Sequence, residues 1–113
     1  MSVYEAVLLD EHNDAGSRHL IARTSSEGIV LVGQDLNSGP KEHRIFGARE
    51  YEWTQTIAWD HVPAFCTLLG GTPGDDVIKL LSERYSGKAS DALAQLLRTA
   101  TFPIKFWSWF SPE

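Results

Sequence analysis

The chain has one cysteine and no long apolar run, and each shortage excludes a class of protein. The single cysteine, Cys66, cannot form an internal disulfide, so this is not a disulfide-stapled secreted domain. No segment approaches the roughly 20 consecutive apolar residues that a membrane span needs. The first residues also lack the basic start and apolar stretch of a secretory signal. We therefore expect a cytoplasmic protein without membrane contact.

Basic residues are scarce as well. Ten Lys+Arg stand against fifteen Asp+Glu, which gives a formal net charge of −5. The densest basic group, Lys41, Arg44 and Arg49, is interleaved with Glu42 and Glu50 and forms no basic stripe. We expect no nucleic-acid binding, because phosphate recognition usually needs such a stripe. An acidic protein can instead be steered toward a basic partner.

Motifs that carry chemistry are missing too. The chain has no G-x-S-x-G nucleophile motif, and the glycine-rich segment 70–74 lacks the Lys-Ser/Thr of a phosphate-binding loop. His12, Asp14 and His19 can meet across the first hairpin, but no cysteine or H-E-x-x-H pattern accompanies them. We predict no metal, no cofactor and no catalytic residue. Cys66 lies on the apolar stripe of a predicted helix and is expected to be an inert core thiol.

Apolar periodicity predicts strands at 4–9, 18–25, 29–32, 51–59 and 102–110. Between the last two strands it predicts three helices, with Asp60, Thr72 and Ser90 near their starts. Strands in a run followed by helices in a run indicate one α+β domain over 1–113. The expected sheet has about five strands, is mainly antiparallel and carries its helices on one face. The last strand can run parallel to the fourth strand or lie antiparallel beside the first.

The last predicted strand carries large aromatic side chains on both faces. Trp107 and Trp109 point one way, whereas Phe106 and Phe110 point the other, because side chains alternate across a strand. A sheet that is covered on one side needs only one apolar face. The two tryptophans are therefore either covered by a second layer or free to contact another molecule.

The other two tryptophans lie in the fourth predicted strand. Trp53 and Trp59 lie on one face of this strand and threonines lie on the other, so we expect both tryptophans to fill the core. Before that strand, segment 34–50 is predicted to be a long polar loop, and long loops are more often functional than short turns.

Four short motifs carry a resemblance that covers most of the chain. They are Val32-Gly33-Gln34-Asp35-Leu36, Phe46-Gly47, Glu50-Tyr51-Glu52-Trp53 and Phe106-Trp107-Ser108. The pattern resembles a group of small, uncharacterised bacterial proteins of actinobacterial type, which have no assigned catalytic residues. In size, acidity and α+β layout the chain is also similar to immunity proteins that neutralise toxins, a likeness that many folds share.

These features together favour a non-enzymatic protein-binding module of immunity or antitoxin kind. We predict that Trp107 and Trp109 anchor the partner, since buried tryptophans dominate many interfaces. Acidic groups would face a basic toxin surface and set the association rate. The acidic candidates are Asp35, Glu42, Glu50 and Glu52.

Two alternatives remain open. One is a small-molecule-binding or enzymatic domain with a polar pocket beside segment 34–50, in which His43, Arg44 and Arg49 contact the ligand. The other is a homodimer in which the aromatic strand pairs with its own copy at a sheet edge.

Overall fold

Alternating residues in the first half of the chain build a continuous antiparallel meander. A computed structural model describes residues 4–13, 16–37 and 50–110. Its single sheet has the strand order β1-β2-β3-β4-β5, with each strand antiparallel to its neighbours. The strands are β1 (Glu5–Asn13), β2 (Gly16–Thr24), β3 (Gly28–Asn37), β4 (Glu50–Ala58) and β5 (Lys105–Phe110). The predicted α+β fold is confirmed.

Three short helices pack on one face of this sheet. They are α1 (Val62–Leu68), α2 (Val77–Arg84) and α3 (Ser90–Leu97). Their apolar stripes form one core with the covered sheet face, and burial of this surface is the main driving force for folding. The buried core comprises Leu8, Leu20, Ala22, Ile29, Leu31 and Ile57 from the strands and Phe65, Cys66, Leu69, Val77, Ile78, Leu80, Leu81, Leu93 and Leu97 from the helical half. Within the described ranges, no helix has the length and apolar character to cross a membrane.

The first three strands are longer than apolar periodicity predicts. Pairing of β1 with β2 continues to Asn13 and Gly16, where the sequence suggests a polar turn over 10–17. The third strand continues past Val32 to Asn37, so the predicted loop at 34–50 starts later than expected. Backbone pairing needs no apolar side chain, so apolar periodicity does not predict the polar ends of these strands. Residues 38–49 of the predicted loop lie outside the described part of the chain.

The last strand takes a position that neither expected placement includes. It lies beside β4 and antiparallel to it, with Lys105 opposite Thr56 and Phe110 opposite Tyr51. The helical segment therefore returns to the end of the sheet from which it departed. Counting helices does not predict the strand direction here, because three helices of seven or eight residues need not each cross the whole sheet. The strand is also shorter than predicted and begins at Lys105.

The start of α2 also differs from the expectation. Asp76, and not Thr72, caps the helix: its Oδ1 atom accepts hydrogen bonds from the backbone N–H groups of Ile78 and Lys79. Thr72 instead belongs to the preceding turn, where its N–H donates to Asp75 Oδ2 at 2.8 Å. This hydrogen bond holds the pKa of the exposed Asp75 carboxyl below its usual value.

The chain leaves β4 through a 3-10 turn at Trp59–His61. Because α1 begins after this turn without a side-chain cap, Asp60 does not cap it. The predicted core position of Trp59 is wrong: its ring is about half exposed, and its Nε1–H donates to the Ser25 carbonyl at 3.1 Å.

Trp53, by contrast, packs against the core as predicted, and a glycine on the next strand makes room for it. Gly33 lies directly opposite Trp53 in the β3–β4 register. A Cβ atom at position 33 would lie 2.1 Å from Cε2 of the Trp53 indole. The indole therefore lies directly over the Gly33 backbone.

We expect Gly33→Ala to destabilise the protein by about 1–3 kcal/mol, because the added methyl must displace a large, partly buried ring. Urea unfolding followed by circular dichroism measures this difference. Gly74→Ala is the matched control, since no heavy atom lies within 4 Å of a Cβ built there. Equal loss in both variants would contradict the close contact between Gly33 and Trp53.

Candidate functional site

One face of the sheet carries no packed element in the described part of the chain, and we call it the open face. A row of cross-strand partners runs over it from β1 to β5. This central row consists of Val7, Ile21, Val32, Thr54 and Trp107. Directly paired side chains lie about 4.5–5.5 Å apart, so the row forms a nearly continuous apolar stripe.

The neighbouring row on the open face is polar. It consists of Asp10, His19, Gln34, Glu52 and Trp109. Gln34 also reaches Glu50, donating from Nε2 to Oε1 at 2.8 Å. The open face therefore combines an apolar stripe with acidic and imidazole groups, and each row ends in a tryptophan on β5.

The edge strand β5 is exposed along its whole length. Trp107 and Trp109 are 49% and 43% exposed on the open face, and Phe106 and Phe110 are 57% and 49% exposed on the helix-bearing face. Among the described strands, only β4 pairs with β5, so the outer backbone edge of β5 faces outward. Large exposed aromatics on the last strand of the described sheet are an unusual arrangement for a protein surface.

A groove of about 430 Å³ opens beside this strand on the helix-bearing face. Trp53 and Leu97 contribute to its wall, and Phe106 of β5 borders it. Its polar side chains are Tyr51, Gln55 and Arg98. The groove offers mainly apolar contact, with few groups that can fix the orientation of a small ligand.

The predicted partner-binding residues divide between the two faces. Glu52 lies directly opposite Trp109, and Glu50 lies two residues before Glu52 on the same face. Asp35 pairs with Tyr51 in the row that points to the helices, so it is separated from the tryptophans by the sheet. Of the other predicted contacts, Glu42, His43, Arg44 and Arg49 lie outside the described residues.

Asp35 sits instead in a charged pocket beneath α3. Its Oδ1 atom lies 3.6 Å from Nε of Arg18, which also approaches Asp91 of α3 at 3.8 Å. Only 18% of the Asp35 side chain is exposed, next to a cavity of about 130 Å³. Burial raises the pKa of the Asp35 carboxyl above its usual value, and the charge and hydrogen bond of Arg18 oppose this rise.

The single cysteine offers no reactive group. Cys66 is fully buried in the core, and burial raises the pKa of its thiol. The nearby charges of Asp75 and Asp76 act in the same direction. A thiol is nucleophilic only as the thiolate, so this environment suppresses its reactivity.

One cluster of side chains was only partly anticipated from the sequence. Asp10, His12 and His19 bring one ligand atom each within 4.8 Å of one another on the open face. The sequence suggested Asp14 as the acidic member, and that residue lies outside the described ranges. The sequence places Asp10 in a polar turn predicted over 10–17, where strand alternation does not indicate which side chains meet.

No protein family, no curated protein and no solved structure matches this chain. The resemblance to small bacterial proteins therefore stays a prediction, and function must be inferred from the geometry itself.

The raised pKa of Asp35 predicts how pH acts on stability. Folded Asp35 binds its proton more tightly than the unfolded carboxyl, whose usual pKa is 3.8. This contribution to stability is therefore lost as pH rises through the folded-state pKa. We expect Asp35→Asn to gain stability relative to the unaltered protein as pH rises from acid to neutral. Urea unfolding across this range measures the difference.

Asp91→Asn is the control for this prediction, because Asp91 also faces Arg18 but its side chain is 75% exposed. Its stability relative to the unaltered protein should vary less with pH. If Asp35→Asn instead loses stability as pH rises, the pairing with Arg18 outweighs burial and the stated direction is wrong.

Proposed function

We propose that this protein is a non-enzymatic protein-binding module whose edge strand β5 receives an extended segment of a basic partner protein. The observation that carries the proposal is that β5 is the last strand of the described sheet and exposes Trp107 and Trp109 on one face and Phe106 on the other. The partner class that we propose is a toxin, which this chain would neutralise in the manner of an immunity protein.

The backbone of β5 provides the first part of the binding energy. Every second residue of an edge strand directs its N–H and C=O groups away from the sheet. A partner segment that aligns with β5 can satisfy these groups and extend the sheet by one strand. In strand addition of this kind, main-chain hydrogen bonds provide affinity and pockets for alternate side chains provide specificity.

The side chains around β5 supply contacts for both faces of such a segment. Partner side chains on the open face would pack against Trp107 and Trp109. Those on the helix-bearing face would meet Phe106 and Phe110 and reach toward the groove beside Phe106. The aromatic rings would act as anchors, because a few well-packed aromatic residues commonly carry most of an interface's energy.

Charge favours a basic partner over a second copy of this chain. The open face carries four acidic and two basic side chains in its described part. They are Glu5, Asp10, Glu50 and Glu52 against Arg23 and Lys105. Two copies with a net charge of −5 each would repel one another on approach, whereas a basic protein would be attracted.

The small-molecule alternative has less support from the geometry. Its proposed contacts His43, Arg44 and Arg49 lie outside the described residues. The described groove beside Phe106 is open and mainly apolar. Enclosed pockets with several convergent polar groups are typical of ligand sites, and this groove lacks that character.

We expect the double variant Trp107→Ala and Trp109→Ala to bind its partner at least about 30-fold more weakly, which corresponds to a loss of about 2 kcal/mol from two anchors. A partner captured from native lysate by the immobilised full chain would be identified by mass spectrometry and produced pure. Calorimetric titration of this pure partner then gives the affinity for each variant.

Tyr4→Ala is the matched control, because Tyr4 is an exposed aromatic just before β1 at the opposite edge of the sheet. Its affinity should equal that of the unaltered protein. Equal affinity of the double tryptophan variant would refute the anchor role. Concentration-dependent dimerisation that this variant abolishes, with no foreign partner bound, would show that the edge pairs with its own copy instead.

Glu52→Gln tests the electrostatic part of the proposal. Glu52 lies opposite Trp109, so removing its charge should slow association with a basic partner by a few-fold and weaken the dependence on salt. Stopped-flow mixing at two ionic strengths measures both effects. Faster association of Glu52→Gln would mean that the partner surface is acidic.

A further inference from the structure

We propose that Asp10, His12 and His19 form a binding site for a divalent transition-metal ion of the Zn²⁺ class. These three residues lie on the open face near the β1–β2 hairpin. Each contributes one ligand atom, and all three atoms lie within 4.8 Å of one another.

The distances within the cluster are close to those that a metal ion requires. Oδ1 of Asp10 lies 2.9 Å from Nε2 of His12 and 3.1 Å from Nδ1 of His19. Tetrahedral Zn²⁺ with bonds of about 2.0–2.1 Å holds its ligand atoms about 3.3 Å apart. Small side-chain rotations therefore suffice to admit the ion. The two imidazoles stand edge to face, with centroids 5.3 Å apart.

A β-bulge creates this arrangement. The register of β1 against β2 shifts between Val7 and Leu9, so that both Leu8 and Leu9 turn toward the core. Asp10 and His12 consequently point to the open face, where Asp10 is the direct cross-strand partner of His19. Bulges commonly redirect side chains next to functional sites.

Two cationic residues lie near the cluster, because Arg18 and Lys88 line the same pocket as Asp10 and His12. On the open face, His12 pairs with Ser17, and His19 pairs with Gln34 on β3, so the adjacent described partners are neutral. The nearest arginine along β2, Arg18, points to the other face and pairs there with Asp35 and Asp91. Within the described residues, the Asp10 carboxylate forms ion pairs with the two imidazoles, at 2.9 and 3.1 Å.

The donor set selects the class of ion. Two imidazole nitrogens and one carboxylate oxygen suit Zn²⁺, Ni²⁺ or Cu²⁺, whereas Mg²⁺ prefers oxygen ligands and retains its waters. Three protein ligands leave a fourth position for water or for a donor from another molecule. The bound ion would join β1 to β2 at the hairpin and present this position on the same face as Trp109.

Calorimetric titration of the full chain with Zn²⁺ tests the site. We expect one ion to bind, and we expect Asp10→Asn, His12→Gln and His19→Gln each to weaken binding by roughly 100-fold or more. Losing a ligand costs at least as much as losing a group that only orients one, about 10–100-fold. Zn²⁺ at about 100 times its dissociation constant should raise the thermal midpoint of the unaltered protein by roughly 10 °C. Mg²⁺ should do neither.

His61→Gln is the matched control, because His61 lies away from the cluster and stacks on Phe102. It should bind Zn²⁺ like the unaltered protein. Histidine ring NMR spectra of the unaltered protein provide a readout that needs no variant: Zn²⁺ should shift the signals of two histidines. Undiminished binding in the three cluster variants, or no binding at all, would mean that the two imidazoles only donate hydrogen bonds to Asp10.

Discussion

A five-stranded sheet has two faces, and the three short helices of this protein cover only one of them. The apolar stripe, the two exposed tryptophans of β5 and the Asp10 cluster all lie on the face that the helices leave uncovered. The core draws its apolar residues from the covered face, where Leu31 and Ile57 are fully buried. The uncovered face must tolerate water, and threonines on β4 meet that need. The tryptophans at the end of the same rows do not, and their rings remain about half exposed.

The regular register of the meander brings together residues that are distant in the chain. Because neighbouring strands are antiparallel and connected in order, a single row over the open face joins Asp10 to Trp109. Four steps of about 4.8 Å separate β1 from β5, so the two ends of the row lie about 19 Å apart. A partner segment lying across the strands could span this distance. A segment added alongside β5 would contact only the tryptophan end of the row on this face. The proposed metal site and the proposed binding edge are therefore separable in experiment even though they share one surface.

Much of this architecture could be predicted from the sequence, because alternation and helical stripes report directly on which side chains are buried. The order of elements, the helix stripes and the core position of Trp53 follow from periodicity. The bulge at Leu8 could not be predicted in this way. Its one extra residue turns Asp10 and His12 to the other face of the sheet, and no residue type in the sequence indicates it. The same limit applies to Trp59, which continues the strand pattern in sequence but lies in the 3-10 turn that follows β4. Periodicity predicts which side chains are buried within a regular strand or helix, but not where that element ends or where its register shifts.

The shape of the open face bears on the kind of chemistry that it can support. Catalysis needs groups that converge on a reacting atom in a site from which water is largely excluded. On an open sheet, side chains stand parallel to one another, and only near neighbours such as Asp10 and His19, or Gln34 and Glu50, approach hydrogen-bonding distance. The remaining groups of the row, Gln34 and Glu52, are spread along a line of strands. A line of spaced contacts suits an extended segment that lies across the strands better than a small molecule, and this supports the recognition role that we propose.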